Sequence, residues 1–120
     1  MISAFLWFNA AAYIALGLWC AASVEKTSAS VGFKMLDASG RCEFTTVYGG
    51  LQLGLGLIFG WLALHPEHST LALGFSLLVY APLVLFRAIG LMRFWPVAGL
   101  TLTFAGFEVA MLLIALLLRY

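Results

Sequence analysis

The chain has 120 residues, of which 64% are hydrophobic and 9% are charged, and its formal net charge is +1. Together with a mean hydropathy of +1.08, this composition lies outside the range of soluble globular domains and is typical of a chain embedded in a lipid bilayer. Because six Lys and Arg residues stand against five Asp and Glu residues, no nucleic-acid partner is expected.

Four apolar runs are each long enough to cross the hydrocarbon core as a helix, which needs about 20 residues. They cover roughly residues 3–23, 44–64, 70–90 and 97–118. Little of the chain remains outside them. The sequence therefore predicts an all-α, integral membrane four-helix bundle that forms a single domain over residues 1–120, with short loops and both termini on the same side.

The first run is interpreted as a retained helix and not as a secretory signal, because no Lys or Arg precedes Ile14 and three more spans follow. The loop after it, residues 24–42, mixes apolar and charged side chains. It is interpreted either as a short amphipathic segment on the membrane surface or as a solvated loop. Cys20 and Cys42 flank this loop. We expect two free, mostly buried thiols, because the alternative of a disulfide requires an oxidising compartment.

The second run is rich in glycine, with Gly49, Gly50, Gly54, Gly56 and Gly60 on one helix. Small residues four apart let the backbones of two membrane helices approach closely. Tight packing against another helix of the same chain is the preferred interpretation. A homodimer contact is the alternative.

Each of the four runs also carries a stripe of polar residues at helical spacing. The bilayer core offers these side chains no hydrogen-bond partner, so they are expected to face the centre of the bundle. The pattern predicts a polar pocket near the bilayer midplane, which would contain Asn9, Tyr13, Thr45, Tyr48, Gln52, Ser76, Tyr80, Arg87, Thr101 and Glu108.

Glu108 stands alone in an otherwise apolar stretch, residues 103–118. A charge near the middle of a membrane costs about 2.5 to 3.5 kcal/mol on insertion scales, so a partner is expected. The third and fourth helices are antiparallel neighbours, and helical side chains lean toward their own N-termini. Arg87 is therefore predicted to reach Glu108. The alternative is a protonated Glu108, with Arg87 extended toward the membrane surface.

The segment GRCEFTTVYGGLQLGLGL, residues 40–57, leads into the second helix. With an Arg in the third helix and a Glu in the fourth, it resembles the bacterial four-helix membrane proteins grouped as domain of unknown function 4345. The most specific part is Glu43 followed by VYGGL, residues 47–51. Thr45 departs from the pattern, because a basic residue often stands there in the family. The resemblance implies an inner-membrane bundle and supplies no activity.

Three functions fit these observations. The first is a non-catalytic protein that binds or passes a small amphiphile or lipid in the polar pocket. The second is a structural membrane subunit whose polar residues only determine which helices pair. The third is a membrane-embedded isomerase that uses Glu108 for proton transfer, with Glu43 as a second acid. Catalysis is the least favoured, because no nucleophile and base occur at usable spacing.

The expected partners are membrane lipid, a hydrophobic small molecule and, in the alternative above, a second copy of the chain. No cofactor is expected. No metal site is expected either, because the two histidines of the turn HPEH provide too few ligands. The predicted location is the bacterial inner membrane. Two connections between the spans carry an excess of basic residues, namely Lys26, Lys34, Arg41 and Arg93, and these connections are therefore predicted to face the cytoplasm.

Overall fold

The computed structural model describes residues 1–120 and contains helices without strands. The six α-helices are α1 (Ile2–Ala22), α2 (Val24–Ser30), α3 (Ala38–Phe44), α4 (Gln52–Leu64), α5 (Ser69–Phe94) and α6 (Gly99–Arg119). A π-helical segment, Thr45–Leu51, joins α3 to α4, and a short 3-10 turn, Pro66–His68, precedes α5. We call the continuous helix Ala38–Leu64 the α3–α4 helix.

Four helical stretches are long and apolar enough to cross a membrane, namely Ile2–Ala22, Ala38–Leu64, Pro66–Phe94 and Gly99–Arg119. This confirms the predicted all-α class with four candidate membrane spans, and it defines a multi-pass membrane protein. The sequence pattern did not distinguish α2 and α3 as separate short helices. Hydropathy reports how long an apolar run is, and it does not report where a helix breaks.

The second span begins at Ala38, six residues before the predicted start. The Asp37 side chain accepts a hydrogen bond from the backbone N–H of Gly40 at 3.0 Å and so caps the helix. Aspartate favours both turns and helix N-caps, so the residue type alone does not give the start of the helix. The third span runs on to Phe94, so only residues 95–98 connect it to α6.

The connection between the first two spans is partly helical. An ion pair between Glu25 and Arg41 links α2 to α3 at an exposed position, and Gly32 adopts a positive φ of 87° shortly after α2 ends. Cys20 and Cys42 are both free thiols, as expected. Cys20 is buried, whereas Cys42 is exposed, so the expected burial is wrong for Cys42.

The chain divides into two compact units, Met1–Glu67 and His68–Tyr120. In the first unit α1 packs antiparallel against the α3–α4 helix, and in the second unit α5 packs antiparallel against α6. The arrangement of residues 1–120 as one domain stays a prediction.

The helices of the first unit approach most closely where glycines remove side chains. A Cβ placed on Gly17 would lie 2.8 Å from the backbone oxygen of Gly49 and from the backbone nitrogen of Leu53. A Cβ on Gly56 would lie 2.8 Å from the backbone nitrogen of Ile14. Because these are backbone atoms, no side-chain rotation relieves the contact, and the two helices depend on glycine at this crossing.

The remaining glycines of the pattern behave differently. A Cβ on Gly60 would make an ordinary contact, 3.7 Å from the Cβ of Ala10. A Cβ on Gly50 or Gly54 would meet nothing within 4 Å. Within the chain the close approach therefore involves Gly49 and Gly56, and Gly50 and Gly54 take no part in it. The homodimer contact stays a prediction.

Candidate functional site

Arg87 and Glu108 form a bidentate contact within the second unit. The Nε–H group of Arg87 donates to Oε2 of Glu108 at 2.8 Å, and Nη2 donates to Oε1 at 2.6 Å. The Glu108 side chain is 9% exposed and that of Arg87 is 31% exposed. Two parallel charge-assisted hydrogen bonds give a strong and geometrically specific pair.

The antiparallel arrangement of α5 and α6 explains why the two residues meet. Arg87 lies seven residues before the end of α5, and Glu108 lies nine residues after the start of α6. Each side chain leans toward the N-terminus of its own helix, so the two lean toward each other. The contact is direct and needs neither a bridging side chain nor a bridging water.

A groove of about 380 Å³ opens beside this pair, between the C-terminal half of α5 and the start of α6. Its volume lies at the low end of the range found for ligand pockets. The walls are mostly apolar, with a guanidinium and a hydroxyl group among them, and they consist of Leu83, Phe86, Arg87, Gly90, Leu91, Phe94, Val97 and Thr101.

Gly90 is one of the residues that line this groove. A Cβ placed on Gly90 would meet no atom within 4 Å, so no packing contact requires glycine at this position. Because Gly90 lines the groove, a larger side chain at this position is expected to occupy part of it. The groove thus offers a position at which it can be filled without disturbing the helix contact.

Two further predicted residues of the second unit lie on α5, before Arg87. Ser76 and Tyr80 are completely buried on α5, and the Ser76 hydroxyl donates to the backbone oxygen of Ala72 at 2.8 Å. Tyr80 lies seven residues before Arg87, about 10 Å along the helix axis. Neither side chain lines the groove.

In the first unit, Asn9 and Tyr13 are buried on α1. The Asn9 amide donates to the backbone oxygen of Phe5 at 2.8 Å. The Tyr13 ring stacks on Phe59 with 5.7 Å between ring centroids. The Tyr13 ring therefore packs α1 against α4, whereas this hydrogen bond of Asn9 lies within α1.

The remaining three predicted residues lie on the α3–α4 helix. Thr45 begins the π-helical segment and Tyr48 lies within it, with its ring stacked on Phe44 at 4.6 Å. Gln52 follows directly, and its Oε1 atom is buried without a hydrogen-bond partner. π-Helical turns are frequent at functional sites, but they carry no distinct sequence period, so this one was not anticipated.

Of the ten predicted residues, Arg87 and Thr101 line the groove, and Glu108 is joined to Arg87 beside it. That all ten share a single central pocket stays a prediction. Sequence reasoning missed Leu83, Phe86 and Phe94 as groove walls, because an apolar residue facing a groove and one facing lipid look the same in a hydropathy pattern.

No group of three or more His, Cys, Asp or Glu side chains is placed to hold a metal ion. The geometry defines an all-α, multi-pass membrane protein in which an Arg–Glu pair borders an apolar groove.

The comparison with protein families gives one match. The family described as a domain of unknown function (DUF4345) matches residues 1–119, and the chain belongs to this family. No curated protein and no solved structure matches the chain. The family resemblance seen at residues 40–57 is therefore confirmed over nearly the whole chain, and the function has to be argued from the site.

Proposed function

We propose that the protein binds a lipid or another small amphiphile in the groove between α5 and α6, in the bacterial inner membrane and without catalysing a reaction. One observation carries this proposal: a concave, mainly apolar surface contains a single cationic side chain, Arg87, which is held in place by Glu108. Apolar walls with a few well-placed polar groups are the usual design of small-molecule sites.

The two parts of an amphiphile match the two parts of the groove. Leu83, Phe86 and Leu91 provide an apolar surface for a hydrocarbon chain. The guanidinium of Arg87 is an N–H donor, and the hydroxyl of Thr101 both donates and accepts, so together they offer polar contacts to a head group. A wholly apolar ligand would leave these polar contacts unused, whereas an amphiphile uses both.

The pair geometry favours binding over catalysis. Both oxygens of Glu108 accept hydrogen bonds from Arg87, and the Glu108 side chain is 9% exposed. A general base must lie within hydrogen-bond reach of the proton that it removes. Because Glu108 is turned to Arg87 and does not line the groove, an isomerase that uses this carboxylate is the weaker proposal.

A purely structural role is the second candidate, because the same pair fastens α5 to α6. In that case the groove would hold only the bulk lipid that surrounds any membrane helix. The two functions differ in what the groove retains after the surrounding membrane is removed, so extraction in a mild detergent separates them.

The test is native mass spectrometry of gently extracted protein, with one groove variant and one matched control. Gly90→Leu fills the groove. Gly106→Leu introduces the same side chain on α6, also at a position where a Cβ would meet nothing within 4 Å, but outside the groove. We expect the unmodified protein and Gly106→Leu to retain a lipid or metabolite and Gly90→Leu to lose it. Equal retention by all three proteins, or retention by none, would leave the structural role.

A further inference from the structure

Glu108 holds Arg87 in place and also balances its positive charge beside the groove. We infer that the groove selects an uncharged amphiphile, such as an acyl ester or acylglycerol, over an anionic one such as a fatty acid carboxylate, and that Glu108 sets this selectivity. The inference rests on the proposed binding function and names the ligand class for the same groove.

The first argument is charge balance. Arg87 contributes one positive charge and Glu108 one negative charge, joined by two short hydrogen bonds. Arg87 is the only Asp, Glu, Lys or Arg among the residues that line the groove, and Glu108 balances its charge. Arg93, whose guanidinium lies 5.3 Å from the centroid of the Phe94 ring, is not one of the lining residues. An anionic head group on Arg87 would place a second negative charge close to the Glu108 carboxylate, in surroundings where charges interact more strongly than in water.

The second argument is depth. Helix α5 has 26 residues and is about 39 Å long, whereas the hydrocarbon core is about 30 Å thick. Arg87 lies about 10 Å from the end of α5. If the helix is centred in the bilayer, Arg87 lies about 6 Å inside the hydrocarbon. A charged head group has to lose much of its hydration to reach that depth, whereas an ester carbonyl or a hydroxyl loses far less.

An uncharged acceptor can still use the site. A carbonyl or hydroxyl oxygen accepts a hydrogen bond from a guanidinium without displacing the carboxylate that already pairs with it. The Thr101 hydroxyl offers a further contact at the same groove. The pair therefore remains intact when an uncharged ligand binds, and it would have to be disturbed to accommodate an anion.

The experiment compares two probes of equal chain length, a monoacylglycerol and the corresponding fatty acid, at alkaline pH where the fatty acid is ionised. Affinities are measured on detergent-solubilised full-length protein by titration in native mass spectrometry. For the unmodified protein we expect the monoacylglycerol to bind more tightly by roughly tenfold. Gly90→Leu should abolish binding of both probes and so locates them in the groove.

Glu108→Gln removes the carboxylate and leaves an amide of nearly the same shape. We expect it to shift the affinity ratio by tenfold or more toward the fatty acid, because Arg87 then presents a net positive charge. Glu108→Asp keeps the carboxylate and should keep the preference for the monoacylglycerol. Glu67→Gln, which removes an exposed carboxylate in the turn before α5, is the control for total charge and should leave the ratio unchanged.

The outcomes separate the two proposals. A preference of the unmodified protein for the fatty acid, or the same ratio in Glu108→Gln as in the unmodified protein, overturns the selectivity while binding itself stands. If Glu108→Gln does not fold, the ratio measured for the unmodified protein still decides whether the groove prefers the uncharged probe. If neither probe binds the unmodified protein, or Gly90→Leu binds both as well, the proposed binding function fails and the selectivity fails with it.

Discussion

The two units of the chain hold their helices together in different ways. In the first unit, α1 and the α3–α4 helix come into backbone contact at Gly17 and Gly56, and no space is left between them at this crossing. In the second unit, the long side chains of Arg87 and Glu108 reach across between α5 and α6, beside an open groove. The comparison shows that in this protein the helices joined by an ion pair leave a groove beside the contact, whereas the helices joined at the glycine crossing meet backbone to backbone.

The largest expected effect comes from breaking the ion pair on one side only. Arg87→Leu leaves the carboxylate of Glu108 in a site where its side chain is 9% exposed, and we expect the free energy of unfolding to fall by about 3 kcal/mol. Glu108→Leu should cost less, because Arg87 is 31% exposed and can turn toward the membrane surface. The measurement is unfolding in detergent micelles by titration with a denaturing detergent.

The double variant Arg87→Leu with Glu108→Leu is the internal control. It leaves no buried charge, so it should recover part of the loss seen in Arg87→Leu. Losses that simply add would show that the two side chains do not interact in the protein. In that case the ion pair would not hold α5 and α6 together.

At the glycine contact, the addition of a single methyl group should already lower the free energy of unfolding. Gly17→Ala and Gly56→Ala each force a methyl group against backbone atoms 2.8 Å away, and we expect each to lower the free energy of unfolding by about 1 to 3 kcal/mol. Gly54→Ala is the matched control, because its Cβ would meet nothing within 4 Å. It should leave stability unchanged or raise it by up to about 1 kcal/mol. Similar losses at all three positions would contradict the close approach at this crossing.

These two contacts also show what the sequence could reveal. Glu108 was predictable as a paired residue, because a single acid in an apolar helix needs a partner and Arg87 lay at a reachable position. The glycine contact was only partly predictable. The spacing of glycines indicated which helix would pack closely, but Gly17 is a single glycine on α1, and a contact has to be known from both sides before the position of the crossing can be given.

Neither the groove nor the observed start of the second span could be predicted from the sequence. Asp37 begins the second span because its side chain accepts a hydrogen bond from Gly40, and nothing in the local sequence distinguishes such a cap from an isolated turn. The π-helical segment Thr45–Leu51 contains the VYGGL part of the family motif, residues 47–51, yet its composition does not differ from that of an α-helix in a membrane. Hydropathy identifies the membrane spans, but it does not show where two neighbouring spans leave a groove between them.

A smaller effect of opposite sign is expected within the tightly packed unit. The Oε1 atom of Gln52 is buried without a hydrogen-bond partner. Such a group costs free energy, and replacing it with an apolar side chain of similar length removes the cost. We therefore expect Gln52→Met to raise the free energy of unfolding by about 1 kcal/mol in the same titration. A loss of stability would show that Gln52 finds a donor in the folded protein, such as a water or a ligand.

The smallest effect is expected at the other ion pair of the chain, which repeats the chemistry of Arg87 and Glu108 on the surface. Arg41 donates to Glu25, but the two side chains are 55% and 65% exposed. Solvent and salt screen such a pair, and both side chains lose freedom when they form it. Arg41→Leu should therefore change stability far less than Arg87→Leu.

The stability difference between the unmodified protein and Arg41→Leu should also shrink as salt is added, whereas that between the unmodified protein and Arg87→Leu should persist. Equal effects of the two substitutions, with equal sensitivity to salt, would mean that burial does not distinguish the pairs, and the groove would then have no special electrostatic character.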